Sequence, residues 1–295
     1  MMFKKLSIYA VAFFGAITIL SSCEKEYESI EAIDDSKLSQ YISSNNLQVT
    51  KDPSGFYYQI VNPGTGENFK NTDSVLYHFV IKSLDGKSYY DTKTDADNIA
   101  NKVGYSDKII MNRSIPAIRT SILALKPGGS ANVLLPSNMG FGRNGEADLN
   151  VPSNEPLMIS VTTFPERSQA ERDEKLIQEF LERNNLTATR HNSGVYYIID
   201  KPGAGKEINI NSTIYPFYTG RLLDGTEFDK STDTAAVFPL TSVVLGWQRT
   251  LPLIKEGGKM RMFIPSGLAY GSAGKSPIKM NVVLDFDIEV RKVSN

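Results

Sequence analysis

Cysteine and histidine are almost absent from this chain. One cysteine, Cys23, and two histidines, His78 and His191, occur in 295 residues. A single thiol excludes an intrachain disulfide framework. The two imidazoles stand far apart in sequence with no ligand pattern around them, which argues against a metal site. Charge of either sign is not in excess: 32 Lys and Arg stand against 33 Asp and Glu, with no basic stripe. Nucleic acid is therefore a poor partner for this surface. Long apolar runs are missing beyond the first 22 residues. No Ser, His or Cys constellation supports a nucleophile, and no cofactor is called for. What remains is ordinary globular composition, 41% hydrophobic and 22% charged, so a packed core is expected and disorder is not. The length points to two domains, each long enough to bury a core.

The opening segment reads as targeting. Lys4 and Lys5 form a positive n-region, and residues 6–20 form an apolar stretch too short to span a bilayer comfortably. Leu20-Ser21-Ser22-Cys23 looks like a bacterial lipobox. That resemblance implies a signal peptide over 1–22 and a lipidated, palmitate-bearing Cys23 as the mature N-terminus. The chain would then be anchored to the outer membrane, on its periplasmic side or at the cell surface. An acidic stretch follows, Glu24-Lys25-Glu26-Tyr27-Glu28-Ser29. It resembles signals that send lipoproteins of Bacteroidetes to the surface; the alternative is a solvated tether.

The chain also repeats itself. Asn45-Asn46-Leu47 returns as Asn184-Asn185-Leu186, and Ser54-Gly55-Phe56-Tyr57-Tyr58 as Ser193-Gly194-Val195-Tyr196-Tyr197. Pro63-Gly64-Thr65-Gly66 returns as Pro202-Gly203-Ala204-Gly205, and Asp85-Gly86 as Asp224-Gly225, all at a separation of 139 positions. Leu135-Pro136-Ser137 matches Ile264-Pro265-Ser266 at 129, so the first copy carries about ten extra residues between Asp91 and Ile118.

Each copy opens on a short helical pattern. Leu176, Ile177, Phe180 and Leu181 make one stripe, with Asn184-Asn185 as a stop; Leu38, Tyr41 and Ile42 are in register in the first copy. Such a helix either packs on its own domain or serves dimerisation. The rest reads as strands. Pro216 implies an edge or a bulge, and Asp-Gly at 85–86 and 224–225 signals hairpins. Residues 242–254 are the only other helix-like stretch. The class is α+β: two domains, each an antiparallel sheet curled over one short helix and preceded by another. The expected boundaries are a tether and helix at 23–48, a domain at 49–164, a helical linker at 165–187 and a domain at 188–295.

Four motifs in the second copy carry chemistry. They are Tyr-Thr-Gly-Arg-Leu-Leu-Asp-Gly-Thr-Glu-Phe-Asp at 218–229, Val-Val-Leu-Gly-Trp at 243–247, Ile-Pro-Ser-Gly-Leu-Ala-Tyr-Gly at 264–271 and Val-Leu-Asp-Phe-Asp-Ile-Glu-Val at 283–290. Aromatic residues recur where strands meet turns, which suits an apolar site with a few hydrogen bonds. As an ordered set, over roughly 193–293, the motifs resemble the FKBP-type peptidyl-prolyl cis-trans isomerases.

The resemblance implies an aromatic cup for proline. Trp247 would be its floor, Tyr218, Phe228 and Phe286 its walls, and Val243 and Val244 its aliphatic lining, with the Val244 N–H offered to the substrate. Tyr270 would present its hydroxyl from the rim, Ile278 would come from the following loop, and Asp229 would orient polar groups. Tyr218, Asp229 and Tyr270 are thus the catalytic candidates. The implied partners are proline-containing segments of unfolded or flexible envelope proteins. Two departures are visible: Lys279-Met280 stand where the family often has Pro-Pro, and Ala236 stands where it has a further Phe.

The first copy is expected to be degenerate. Phe79 stands for Tyr218, Ile118 for Trp247, Phe141 for Tyr270 and Ile159 for Phe286, while Asp91 reads as kept. Its cup either retains affinity for apolar segments or is pure scaffold.

Overall fold

The computed structural model describes residues 28–94, 98–106, 108–110, 113–231 and 236–295. The segment carrying Cys23 lies outside the described residues. Two antiparallel sheets dominate. The first contains β1 (Thr50–Lys51), β2 (Tyr57–Asn62), β3 (Ser74–Ser83), β4 (Ser88–Asp91), β5 (Ile99–Lys102), β8 (Ser130–Leu135) and β9 (Leu157–Thr163). Between them, β6 (Lys108–Ile110) and β7 (Arg113–Ser114) form a separate small hairpin. The second contains β10 (Thr189–Arg190), β11 (Tyr196–Lys201), β12 (Thr213–Leu222), β13 (Glu227–Lys230), β14 (Phe238–Pro239), β15 (Lys259–Ile264) and β16 (Leu284–Ser294).

The strand orders are the same: β1-β2-β8-β9-β3-β4 with β5 on β3, and β10-β11-β15-β16-β12-β13 with β14 on β12. The internal repeat is therefore a repeat of fold, and the α+β expectation holds. Pro216 lies on β12, opposite Val290 of β16, at a register shift after Tyr215. It marks a bulge, which accommodates a residue that cannot donate to the ladder.

Each sheet is covered on both faces. On the concave side of the second lies α4 (Leu245–Thr250), where Trp247 and Leu251 join Met260, Met262, Ile264, Phe286 and Ile288 in one core. The first domain places α2 (Pro116–Leu123) in the same position. The opposite faces carry α1 (Ile30–Ser44) and α3 (Gln169–Arg183), the two helices read from sequence. Ile177, Phe180 and Leu181 pack on Tyr196, Phe263 and Val283, so α3 docks on its own domain. Both helices start on a serine cap, Ser29 and Ser168, and stop at Asn45 and Asn184.

A buried aspartate ties each of these helices to the loop that follows β8 in the first domain and β15 in the second. Asp34 Oδ2 accepts from Ser137 N at 2.8 Å and Oγ at 2.6 Å. Asp173 Oδ2 accepts from Ser266 N and Oγ, both at 2.7 Å. In the second domain this loop leads directly to Tyr270.

Candidate functional site

β12 turns into β13 through Asp224-Gly225. Gly225 adopts φ 90, and Asp224 Oδ1 accepts from Thr226 N at 2.8 Å, so the turn is locally specified. The register then pairs Gly220 with Asp229. Tyr218 lies two residues earlier on the same face of β12, and its hydroxyl donates to Asp229 Oδ2 at 2.8 Å. Burial, followed by the hydrogen bond to Asp229 and its charge, pushes the Tyr218 phenol well above its ordinary value of 10.0.

Gly220 makes room for the rings. A Cβ there would stand 2.6 Å from Phe286 and 2.7 Å from Phe228. Phe286 can therefore lean across β12 and meet Trp247 edge-on, with ring centroids 5.1 Å apart and planes at 86°. Tyr218 meets Trp247 at 5.4 Å and 79°. Trp247 sits in the single full turn of α4, beside Gly246, whose backbone presses on Ile264. Its indole N–H is buried with no partner among the described residues.

These residues enclose a cavity of about 340 Å³, lined by Tyr218, Asp229, Val243, Val244, Trp247, Tyr270 and Phe286. Three further residues line it that the sequence reading did not name: Phe238, Ser242 and Lys275. Phe238 stands 6.1 Å from Tyr218 and 6.3 Å from Trp247, ring to ring. It fills the aromatic position that the sequence reading left to Ala236. That expectation is corrected: β14 pairs Phe238 with Ile214, which turns the ring toward the cup. Two expected lining residues do not line the cavity. Phe228 stands behind Phe286, 5.5 Å away and edge-on at 87°. Ile278 belongs to the rim loop but turns its side chain down into the core. Lys275 lies on the Tyr270 ring, its Nζ 5.4 Å from the centroid.

The chemistry available is an aromatic enclosure with one phenol at the rim, one phenol held by a carboxylate and one unpaired indole N–H. Among the described residues no group of three or more His, Cys, Asp or Glu is placed to hold a metal ion.

The first domain does not reproduce this cup. Register places Ile81 opposite Ile159, as Gly220 stands opposite Phe286. The isoleucine side chain occupies the space that Gly220 leaves for the rings. Phe79, Ile118, Phe141 and Ile159 are 0%, 2%, 1% and 0% exposed, so the equivalent hollow is filled. Arg113, from the extra residues of this copy, stacks on Phe141 at 5.8 Å.

The reading of Asp91 as the kept aspartate is corrected. Ile81 pairs with Tyr90 where Gly220 pairs with Asp229, and Asp91 pairs with Val80 as Lys230 pairs with Thr219. The next residue confirms the offset. Thr92 Oγ1 accepts from Phe79 N at 3.1 Å, as Ser231 Oγ accepts from Tyr218 N at 2.9 Å. Asp91 instead accepts from Lys93 N in an exposed turn.

Residues 65–163 and 205–291 match the FKBP-type peptidyl-prolyl cis-trans isomerase family. The chain is 42% identical over 122 residues to the FKBP-type peptidyl-prolyl cis-trans isomerase FkpA of Buchnera aphidicola subsp. Schizaphis graminum, covering 40% of this chain and 48% of the relative. It is 39% identical over 103 residues to FkpA of Escherichia coli K12, covering 34% and 38%. The crystal structure of FkpA from Escherichia coli aligns at 34% identity over 42% of this chain and 61% of that chain, with a TM-score of 0.39. The chain thus spans about half or less of the length of the curated relatives it matches, from 37% to 52%.

Proposed function

The chain belongs to the FKBP-type peptidyl-prolyl cis-trans isomerase family, and from that premise we propose that its second domain, residues 188–295, isomerises X-Pro bonds in flexible or unfolded segments. Rotation about such a bond crosses a barrier of ~18–20 kcal/mol because amide resonance must be lost. No acid, base or nucleophile is needed. Leaving water favours the twisted, less polar imide, and donors that fit only the twisted geometry lower its energy further.

The observation that carries the proposal is the aromatic cavity with the Tyr218–Asp229 pair on its wall. Trp247 is its floor, and Tyr218, Phe238 and Phe286 are its sides. The proline ring rests on the indole, the Val244 N–H receives a substrate carbonyl, and Tyr270 offers its hydroxyl from the rim. Asp229 holds the Tyr218 phenol protonated and oriented. Phe228 and Ile278 support the cup from behind. Turnover of a prolyl peptide by the full chain, followed by magnetisation exchange, tests this. Acceleration that vanishes in Trp247→Leu is expected, and no acceleration by the wild type overturns it.

The finer reading is an envelope folding helper. Its support is the n-region, the apolar 6–20 stretch and the Leu-Ser-Ser-Cys sequence ending at Cys23. Lipid on Cys23 would hold both domains at the outer membrane, where secreted chains fold. Cys23→Ala should leave a soluble or unprocessed product; a processed, membrane-bound variant contradicts the anchor. The first domain, residues 49–164, is read as non-catalytic. A purely binding or scaffolding role for the whole chain is the competing reading, and the turnover measurement separates the two.

A further inference from the structure

We propose that the first domain holds the rim of the second domain's cavity in place, through Asn98. This deepens the isomerase reading and rests on it for its functional half.

The rim is the segment 266–281, which carries Tyr270, Lys275 and Ile278. Between β15 and β16 it contains two short 3-10 turns, Ser266–Leu268 and Gly271–Ala273, and one isolated bridge, Lys275 with Ile278. Such a segment has little regular backbone bonding to fix it, and loops of this kind open at low free energy. Both of its ends are nevertheless fastened to the same place. At the start, Ser266 N and Oγ donate to Asp173 of α3. Asp173 Oδ1 accepts from Gln169 Nε2 at 2.7 Å. Gln169 Oε1 accepts from Asn98 Nδ2 at 2.9 Å. At the finish, Asn281 Nδ2 donates to the Asn98 carbonyl at 3.0 Å, and Asn281 N donates to Gly271 O at 2.9 Å. Asn98 therefore closes a ring of hydrogen bonds around the base of the rim.

This ring is dry. Asn98, Asp173 and Ser266 are each 1% or less exposed and Asn281 is 5% exposed. Buried bonds of this kind are costly to leave unmade, so the arrangement is held as a unit. Asn98 belongs to the extra residues of the first copy. On the outside, Lys279 Nζ reaches the Lys93 carbonyl at 3.2 Å. Lys279 is one of the two residues that replace the family's Pro-Pro, so the departure from the family supplies a donor to the neighbouring domain.

The first domain's own loop makes the contrast. Asp34 fastens Ser137 there, and Asn154 N donates to Gly142 O just as Asn281 N does to Gly271 O. Ile30 stands where α3 has Gln169, so the loop has no side chain of that kind to pass the connection outward. The inner fastening is common to both copies; the outer one serves only the loop beside the open cavity.

The test uses the full chain with Asn281→Gly, which keeps the left-handed backbone of residue 281 (φ 57) and removes the donor to Asn98. Asn98→Ala, which removes the donor to Gln169, is the second variant. Backbone amide exchange over 266–281 should quicken about tenfold in both, with β12 and β16 unchanged. KM for a prolyl peptide should rise about three- to tenfold while kcat stays within about twofold, the pattern of a loosened binding rim. Unchanged exchange over 266–281 in both variants overturns the proposal. Faster exchange with unchanged KM overturns its functional half. A wild-type chain without turnover would remove the isomerase reading, and the exchange result would still decide whether the first domain holds the rim.

Discussion

The hydroxyl of Tyr218 donates to Asp229 Oδ2 at 2.8 Å, and the equivalent pair in the first domain is Phe79 and Tyr90, whose rings pack 5.7 Å apart. One domain keeps a polar device in the wall of its hollow, and the other has replaced it with packing. Removing either partner in the second domain should lower kcat/KM. Tyr218→Phe and Asp229→Ala are each expected to cost about 1–2 kcal/mol, on the order of five- to thirtyfold in rate. Because the two act as one unit, the double variant should lose little more than the worse single. Full activity in the double variant would contradict the assignment.

The phenol of Tyr218 also predicts a spectroscopic outcome. Its pKa is raised by burial first and by Asp229 second, so the folded chain holds this proton more tightly than the unfolded chain does. The contribution to stability is intact below the unfolded value of about 10 and is lost as pH climbs beyond it. Up to about pH 11 the phenolate absorbance of wild type and Tyr218→Phe should rise by equal amounts, since Tyr218 does not ionise in the folded state. A smaller rise in the variant would show a freely titrating phenol.

Gly220 is the position on which the cup depends sterically. A methyl group there would enter the rings of Phe228 and Phe286 at 2.6–2.7 Å. Gly220→Ala should destabilise the second domain by about 1–3 kcal/mol and push Phe286 toward the cavity, weakening peptide binding. A thermal melt and a peptide titration check both effects; a variant with wild-type Tm and affinity would contradict the close packing.

Much of this was legible in the sequence, and the parts that were not share a cause. The repeat, the Asp-Gly hairpins and the helical stripe that stops at Asn184-Asn185 are signals carried by the chain itself, and they survive folding unchanged. Phe238 was missed by two residues because its place depends on pairing with Ile214, far away in sequence. Asp91 was misplaced by a single residue, and in a strand one residue reverses the face. The filling of the first cup by Ile81 depends on which residue lies opposite Ile159, again a matter of register. The link from Asn98 to Asn281 needs the two domains to be in contact.

The paired aspartates Asp34 and Asp173 should separate the stabilities of the two domains. Each carboxylate is buried and accepts two bonds from one serine, so truncation leaves the serine N–H without a partner. Asp173→Ala should cost the second domain about 1.5–3 kcal/mol, and Asp34→Ala the first. With two cores, calorimetry should show each variant lowering a different transition. A common shift of both transitions by either variant would mean that the domains unfold as one.

A prolyl peptide should bind at one place on this chain. The first domain shares the fold and the family match, so a second weak site would follow from resemblance alone. Its residues argue otherwise. Phe79, Ile118 and Phe141 are buried, Ile81 fills the space the rings would need, and Arg113 lies across Phe141. Binding there would require expelling a packed side chain, which costs more than a small apolar ligand returns. Restoring single residues should not help: Ile118→Trp and Phe79→Tyr would overfill a core that Ile81 already occupies. In the full chain, amide shifts on titrating a prolyl peptide should therefore cluster around Tyr218, Val244, Trp247 and Tyr270, with a stoichiometry of one. Residues 75–81 and 157–161 should remain unshifted at saturation. Shifts at Phe79 and Ile159 with the same concentration dependence would show that the first hollow opens, and that its closure in the resting fold does not prevent binding.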